Sequence, residues 1–247
     1  MIFRPRFNRK SFEFDGATQD VVRGSSGTAK ALNDAIVNTG TISFWFNIHN
    51  PTAFAANSYL STKPSVYYCR GTYAAPTVTL TNFLYTGTVT TVSLGIAGVS
   101  VQAWHNIVFT WDSAANACSY LDGVKKVSTS MAGNPLRTNL EPWVIGSPYY
   151  GAARTPMRAN NFSIWNDILS DGGVIVGAKA TGEIAELYND GIPQDLNTHS
   201  AAANLQLWWG LNEKDSPTVI TDLSGNAQNG IGRNLTTAAI VQTTPGF

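Results

Sequence analysis

The stretch from Trp104 to Lys126 constrains the fold of this chain more than any other. Ile107, Phe109 and Trp111 occupy alternate positions, which is typical of a strand with one buried face. A second apolar run follows and ends at Asp122-Gly123, a pair that readily takes the positive φ of a tight turn. The pattern predicts a strand, a loop, a second strand, a tight turn and a third strand.

Short strand-like runs continue this pattern upstream. Strands are predicted at Ser65–Arg70, Thr77–Tyr85 and Thr88–Leu94, with Pro76 and Gly87 between them. Antiparallel hairpins at this spacing favour a sandwich of two sheets. A chain of 247 residues with 43% hydrophobic residues is large enough to fill the core of such a sandwich as one domain.

Several motifs resemble the laminin-G-like, concanavalin A-like jelly-roll family, of the kind found in phage structural proteins. They are the W-H-x-I-x-x-T-W-D and Y-L-D-G-V pieces of 104–126, Phe12–Gly16 (FEFDG), Thr41–Trp45 (TISFW), Trp143–Gly146 (WVIG), Arg158–Trp165 (RANNFSIW), and Asp222–Asn226 (DLSGN). The resemblance implies an all-β, two-sheet antiparallel jelly roll. Asn160 and Asn161 stand where relatives often carry an acidic pair, which puts any calcium role of those positions in doubt.

The order of the motifs also departs from the family. In many relatives the W-x-L strand and the D-x-S-G-N turn precede the F-x-G strand, whereas here they lie near the end of the sequence. The termini of a compact domain usually lie close together. We therefore expect the strand around Trp208 to lie beside, or one strand from, the strand around Phe12.

One short helix is expected near residues 181–190. Ile184, Leu187 and Tyr188 fall on one helical face, Thr181 is suited to cap the start, and Gly191 is suited to end it. We expect this helix to cover one end of the sandwich. A further one or two helical turns fit residues 29–37.

The first ten residues form a basic arm ahead of a single domain at 11–247. The arm carries Arg4, Arg6 and Arg9 with Phe7 among them. It is interpreted either as a disordered leader or as a segment that docks on another subunit of an assembly, and the second interpretation is preferred.

Charge and cysteine content exclude several classes of protein. Only 13% of residues are charged and the formal net charge is zero, so we expect no nucleic-acid partner. No apolar run reaches the ~20 residues that cross a bilayer, and the N-terminus lacks the apolar core of a secretion signal, so we expect a soluble chain without a membrane partner. Cys69 and Cys118 are expected to be buried free thiols, with a bridge between neighbouring strands as the alternative.

Catalytic patterns are missing from the sequence. A retaining glycosidase needs two carboxylates about 5 Å apart, and Glu13 with Asp15 is the best available pair, although a turn already accounts for Asp15. His49, His105 and His199 are scattered, without a G-x-S-x-G elbow, and no zinc spacing occurs. We therefore predict no catalytic residues and no enzyme.

Two kinds of binding site stay open. Asp222 and Asn226, with Asp15 nearby, offer oxygen ligands for calcium, although bonds within their own turns explain these residues equally well. Apart from that calcium, no cofactor is expected. Glycan-binding candidates are Tyr149, Tyr150 and Tyr67, the last followed by a further tyrosine, because flat rings cover the apolar face of a sugar.

The sequence thus favours a non-enzymatic virion structural protein, either capsid-decorating or tail-associated. Its expected location is the virion and its expected partners are other virion subunits, further copies of itself as a homo-oligomer, and a cell-surface glycan. The alternative is a carbohydrate-binding or adhesion module, with or without calcium, and a glycan-cleaving enzyme ranks third.

Overall fold

The computed structural model describes residues 10–23, 27–54, 58–87, 91–148, 154–212, 214–243 and 245. Within them lie β1 (Ser11–Glu13), β2 (Asp20–Arg23), α1 (Gly27–Ala35), β3 (Thr39–Asn47), β4 (Ser58–Lys63), β5 (Tyr67–Ala74), β6 (Thr77–Tyr85), β7 (Thr91–Ser100), β8 (Trp104–Asp112), β9 (Asn116–Leu121), β10 (Val124–Ser130), β11 (Val144–Ile145), β12 (Arg158–Trp165), α2 (Gly182–Tyr188), β13 (Leu205–Trp209), β14 (Gly230–Arg233) and β15 (Ile240–Val241). Single 3-10 turns occur at Pro51–Ala53, Asn189–Gly191, Leu196–Thr198, Ala202–Asn204 and Thr237–Ala239.

The strands form two antiparallel sheets. One has eight strands in the order β10-β9-β8-β3-β12-β1-β15, with β13 also paired to β12. The other has seven, in the order β14-β2-β11-β4-β5-β6-β7. The predicted sandwich of two antiparallel sheets is confirmed.

The hairpins of 104–126 fold as the sequence predicts. Strands β8, β9 and β10 are consecutive neighbours, and Asp122 and Gly123 take φ values of 52° and 72° in the turn between β9 and β10. The predicted bounds differ elsewhere: β5 begins at Tyr67 because Ser65, with φ 58°, belongs to the preceding turn, and β7 continues to Ser100.

The main core lies between the sheets and follows from alternation along each strand. Ile107, Phe109 and Trp111 of β8 enter it, as do Phe44 and Phe46 of β3. Both cysteines are buried and free, as predicted. No helix in the described part of the chain is long and apolar enough to span a bilayer.

A second apolar cluster covers the outer face of the eight-stranded sheet. Val108 of β8 points away from the main core and joins Trp165, Trp208, Ile184 and Leu187. Helix α2 is present as predicted, but it packs on this outer face and not on an end of the sandwich. The outward side chains of the sheet are themselves large and apolar, so they need this cover.

The ends of α2 differ from the sequence-based prediction. Thr181 is the N-cap residue, but its side chain makes no capping bond and its hydroxyl donates to the Asp171 carbonyl at 3.4 Å. The helix ends at Asn189, which takes the left-handed conformation with φ 43°, ahead of the predicted Gly191. Asparagine tolerates that conformation better than most residues.

Strands β1 and β13 lie along the same flank of β12, one at each end of it. Phe12 pairs with Ala159, and Trp208 pairs with Ser163. The expectation that the strands of Phe12 and Trp208 are at most one strand apart is therefore confirmed. Between the two pairings, Asn161 has φ 55° and the register of β12 against β3 shifts.

Candidate functional site

A cleft of about 620 Å³ lies on the outer face of the eight-stranded sheet, next to the end of α2. Phe44 and Phe46 of β3 enter the core, so the alternate residues Trp45 and Asn47 face outwards. These two residues and Arg158 of β12 line the cleft as its floor. The same alternation that directs Phe44 and Phe46 into the core thus places Trp45 and Asn47 in the cleft.

Aromatic rings form one side of the cleft. Trp45 stacks on Tyr188, with ring centroids 5.8 Å apart and planes 19° apart, and only 2% of Trp45 is exposed. Tyr188 and Trp104 are partly exposed and present their rings to the opening. Burial, with the nearby Asp122 carboxylate, raises the pKa of Tyr188, so its hydroxyl stays protonated and able to donate.

A chain of polar contacts holds one wall. His105 Nδ1 lies 2.7 Å from Asp122 Oδ2, and its Nε2 lies 2.8 Å from Ser100 Oγ and 3.1 Å from the Ser100 carbonyl. Asp122 Oδ1 accepts from the Asn106 backbone N–H at 2.9 Å. These bonds tie the β7–β8 turn, with Gln102, to the β9–β10 turn.

In the sequence His105 is one of three scattered histidines without a G-x-S-x-G elbow. The structure brings Ser100, His105 and Asp122 together. The signal that predicts this contact is the position of W-H and L-D-G at the same end of the β8–β9 hairpin. The pairing of Ile107 with Leu121 places Asp122 opposite Asn106, directly beside His105.

The opposite wall follows α2. Asp190, with φ 52°, and Gly191, with φ 91°, reverse the chain there and line the cleft. Lys179 Nζ lies 3.1 Å from Asp190 Oδ1 and 5.9 Å from the centroid of the Tyr188 ring. The lining therefore carries both signs of charge, which suits an uncharged polar ligand better than a strongly charged one.

The floor contains an unpaired acceptor. Asn47 is 6% exposed, and its Oδ1 is buried without a hydrogen-bond partner. Its neighbour in the β3–β12 register is Arg158, whose Nε donates to Glu13 Oε2 at 2.6 Å. The floor thus places an amide and a guanidinium side by side.

Of the predicted glycan-binding tyrosines, the structure describes Tyr67, which does not line this cleft. Tyr67 is 1% exposed and packs in the core on Phe109 and Trp143, and its hydroxyl donates to Asn82 Oδ1 at 3.2 Å. A ring buried between the sheets cannot stack on a sugar, so the prediction for Tyr67 is wrong. Six predicted residues lie outside the described residues: Tyr149, Tyr150, Arg4, Arg6, Phe7 and Arg9.

The residue next to Tyr67 belongs to a second aromatic group. Tyr68 lies on the outer face of the seven-stranded sheet and makes edge contacts with Tyr59 and Tyr85, at centroid distances of 5.4 and 5.3 Å. All three are partly exposed. This group, called the tyrosine patch below, is the alternative aromatic surface.

The residues predicted to bind calcium organise their own turns. Asp222 Oδ1 accepts from the Trp208 and Ser224 N–H groups, and Oδ2 from the Ser224 hydroxyl and the Gln228 N–H, at 2.8–3.0 Å. Asn226 turns its Nδ2 to the carbonyls of Leu205 and Gln206. These side chains do not fit a calcium site.

Asp15 is likewise engaged in a turn. Its carboxylate accepts from the N–H groups of Ala17, Thr18 and Gln19. Burial alone would raise the pKa of Asp15, but these backbone bonds hold it below its usual value. Among the described residues, no three His, Cys, Asp or Glu side chains meet in a metal-binding arrangement.

Glu13, the other half of the best carboxylate pair, is also engaged. Besides its bond to Arg158, its Oε1 lies 3.8 Å from His49 Nε2. The Glu13 carboxylate is therefore already engaged by Arg158. Glu13 and Asp15 therefore do not resemble the acid and nucleophile of a retaining glycosidase.

Comparisons with known proteins agree with the architecture. A family model described as the concanavalin A-like lectin/glucanases superfamily matches residues 23–174. No curated protein matches the chain.

Solved structures similar to the chain include two receptor-binding regions of botulinum neurotoxins. The receptor-binding domain of the C/D mosaic serotype is 16% identical, over 66% of this chain and 44% of that chain, with a TM-score of 0.47. The serotype D ligand-binding domain in complex with N-acetylneuraminic acid is 15% identical, over 64% and 40%, with a TM-score of 0.48. The chain spans less than half the length of these two domains.

A heptameric SAP-like pentraxin from Limulus polyphemus is also similar. It is 12% identical, over 68% of this chain and 74% of that chain, with a TM-score of 0.40.

Proposed function

The chain belongs to the concanavalin A-like lectin/glucanases superfamily, and we propose that it is a non-enzymatic carbohydrate-binding module whose ligand occupies the cleft beside α2. The observation that carries the proposal is the composition of that cleft. The partly exposed residues Trp104 and Tyr188 line the cleft together with the amides of Asn47 and Gln102. Rings that cover the apolar face of a pyranose, with polar groups that hold its hydroxyls, are the elements of a sugar site.

The absence of strong net charge in the lining supports a neutral glycan. Asp122, Asp190 and Arg158 all line the cleft, and Lys179 pairs with Asp190. A ligand with several like charges would meet repulsion from one set of these groups. Sugar hydroxyl groups both donate and accept hydrogen bonds, so they are compatible with a lining that carries acidic and basic side chains.

A binding role is favoured over hydrolysis because the acidic side chains are occupied. Glu13 is paired with Arg158, and Asp122 accepts from His105 and from a backbone N–H. The role in a virion stays a prediction from the sequence, since residues 1–9 of the basic arm lie outside the described residues.

Glycan-array screening followed by calorimetry on the best ligand tests the proposal. Trp104→Ala and Tyr188→Ala are expected to weaken binding at least tenfold, because each ring supplies stacking worth about 1.5 kcal/mol or more. Tyr68→Ala, in the tyrosine patch on the other sheet, is the matched control and should bind as the native protein does. Loss of binding in Tyr68→Ala alone would move the site to that patch, and the absence of any array ligand would refute the proposal.

A further inference from the structure

Three buried side chains form a row across the seven-stranded sheet, where β2, β11 and β4 are neighbours. The pairing of Val144 with both flanking strands places Arg23, Trp143 and Lys63 side by side, one residue further along. The Arg23 N–H donates to the Trp143 carbonyl at 2.9 Å, and Lys63 Nζ lies 5.9 Å from the centroid of the Trp143 ring. Arg23 is 3% exposed and the other two are fully buried. Two cationic side chains and an indole, called the cationic row below, therefore share one buried site.

The cationic row contains hydrogen-bond donors that lack acceptors. Nε and Nη1 of Arg23 and Nε1 of Trp143 are buried, and none of them has a hydrogen-bond partner in the described part of the chain. Guanidinium, ammonium and indole nitrogens donate but do not accept, so these groups cannot satisfy one another. Native proteins rarely keep buried donors without an acceptor, because each one is unfavourable. The row therefore requires an acceptor that the described side chains do not supply.

The positive charge of the cationic row is also left without a direct partner. Among the residues that the structure describes, no carboxylate forms an ion pair with Arg23 or Lys63. Burial lowers the pKa of Lys63, and the Arg23 charge adds to this effect while Glu141 opposes it. Burial also lowers the pKa of Arg23, and Asp222 opposes that effect from a distance, since both of its carboxylate oxygens accept bonds from other groups. Buried charges of this kind are costly unless an opposite charge accompanies them.

The surroundings of the cationic row favour a small ion with a single charge. Trp143 packs on Tyr67, with ring centroids 5.8 Å apart, and both rings belong to the main core. Moving a doubly charged oxyanion from water into apolar surroundings costs far more than moving a single charge. A water molecule would accept hydrogen bonds from the same donors, but it would leave the two positive charges uncompensated.

We propose that the cationic row is a binding site for a halide ion, which is chloride in ordinary solutions. The ion accepts hydrogen bonds from the unpartnered nitrogens of Arg23 and Trp143 and balances the nearby charge of Lys63. Because the unfolded chain does not assemble this row, the bound ion stabilises the folded state by mass action. The cationic row belongs to the other sheet from the cleft, so this inference goes beyond the proposed function and does not depend on it.

Thermal unfolding tests the inference on the native protein. Sodium chloride is raised from about 1 to about 200 mM, while sodium methanesulfonate, whose anion is larger but has the same charge, keeps the ionic strength constant. We expect chloride to raise the Tm by about 3 °C or more over this range, and bromide to do the same. The native protein should also broaden the chlorine NMR signal of chloride, and excess bromide should remove that broadening.

Two substitutions assign the effect to the cationic row. Arg23→Met removes the guanidinium donors and should abolish both chloride effects. Trp143→Phe keeps an aromatic ring but loses the N–H, and it should weaken the apparent affinity for chloride about fivefold. Arg70→Met is the matched control, because Arg70 is a partly exposed cation of β5 in the same sheet. It should respond to chloride as the native protein does.

Equal Tm values of the native protein in chloride and methanesulfonate would overturn the inference and assign the donors to buried water. A chloride response that Arg23→Met retains would overturn it as well. If circular dichroism shows that Arg23→Met does not fold, crystals of the native protein soaked in bromide decide the question. An anomalous peak within hydrogen-bond distance of Arg23 and Trp143 supports the site, and its absence there refutes it. None of these outcomes bears on glycan binding in the cleft.

Discussion

Asn161 Oδ1 accepts a hydrogen bond from Trp208 Nε1, inside the cluster that covers the outer face of the eight-stranded sheet. The same amide donates through Nδ2 to the Gln194 carbonyl at 3.3 Å. Asn161 has φ 55° at the point where β12 changes its partner from β1 to β13. The Asn161 side chain thus accepts a hydrogen bond from a buried indole. Its backbone adopts the left-handed conformation at the point where β12 changes partner between β1 and β13.

Asn161→Ala is expected to lower the free energy of unfolding by about 2–4 kcal/mol. It removes the acceptor that Asn161 provides to the buried Trp208 N–H, at about 1–3 kcal/mol, and places alanine in the left-handed region, at about 1 kcal/mol. Urea unfolding measures the loss. The matched control is Asn234→Ala, since Asn234 has the same φ of 55° but is exposed. Equal losses in the two variants would contradict a role for the indole bond.

Lys63 gives the fold a dependence on pH. The side chain is fully buried and donates to the Glu141 carbonyl, and burial lowers its pKa from 10.5 to about 8, with Glu141 opposing and Arg23 adding to the effect. The unfolded chain keeps this proton up to about pH 10.5, so between pH 8 and 10.5 it binds more protons than the folded chain. The contribution of Lys63 to stability therefore rises with pH in that window and is least favourable below pH 8.

Lys63→Met is expected to stabilise the protein by about 1–3 kcal/mol at pH 7 and to gain less at pH 9, because the variant has no ammonium to desolvate. Urea unfolding at both pH values provides the comparison. Lys126→Met, at an exposed position of β10, is the control and should show no such difference. If Lys63→Met raised the free energy of unfolding equally at pH 7 and pH 9, the result would contradict a lowered pKa of Lys63.

Cys69 is expected to resist alkylation in the folded protein. It lies fully inside the core, and burial raises the pKa of its thiol to about 12. Since the thiolate is the reactive form, modification of a Cys118→Ser variant by iodoacetamide at pH 8 should be at least a thousandfold slower than that of free cysteine. Rapid labelling without loss of the folded circular dichroism signal would contradict the buried position.

The contacts of His105 predict unequal effects from its two partners. Asp122→Ala should cost about 2–3 kcal/mol of unfolding free energy, because it removes bonds to His105 and to the Asn106 N–H and leaves alanine at φ 52°. Ser100→Ala should cost less than about 0.5 kcal/mol, since Ser100 is exposed. A fluorophosphonate probe should not label Ser100. Covalent labelling that Ser100→Ala abolishes would instead identify a nucleophile and contradict the non-enzymatic proposal.

The fold was largely predictable because its signals are local. Alternation at Ile107, Phe109 and Trp111 fixes which face of β8 is buried, and Asp122-Gly123 fixes the turn. The family motifs then add that the strands around Phe12 and Trp208 lie close together. The position of α2 was not predictable, because it depends on outward residues such as Val108 and Trp208 whose burial no single strand reveals.

The cleft was harder to predict from the sequence than the fold was. Its residues come from six separate parts of the chain, and Trp45 and Asn47 read equally well as ordinary outward positions of an inner strand. Tyr67 and Tyr68 were equally hard to assign from the sequence. Neighbouring tyrosines on one strand face opposite sides of the sheet, and which of them is buried depends on where the second sheet packs.

The pairing of β1 with β15 makes the domain sensitive to mechanical load. Ser11 opposes Val241 and Phe12 opposes Ile240, so a pull applied at Ser11 and Val241 strains these pairs one after another, like a zipper. Gln242 and Thr243, directly after β15, border the cleft. Tension that peels β15 away would therefore dismantle one border of the cleft before the sandwich itself gives way.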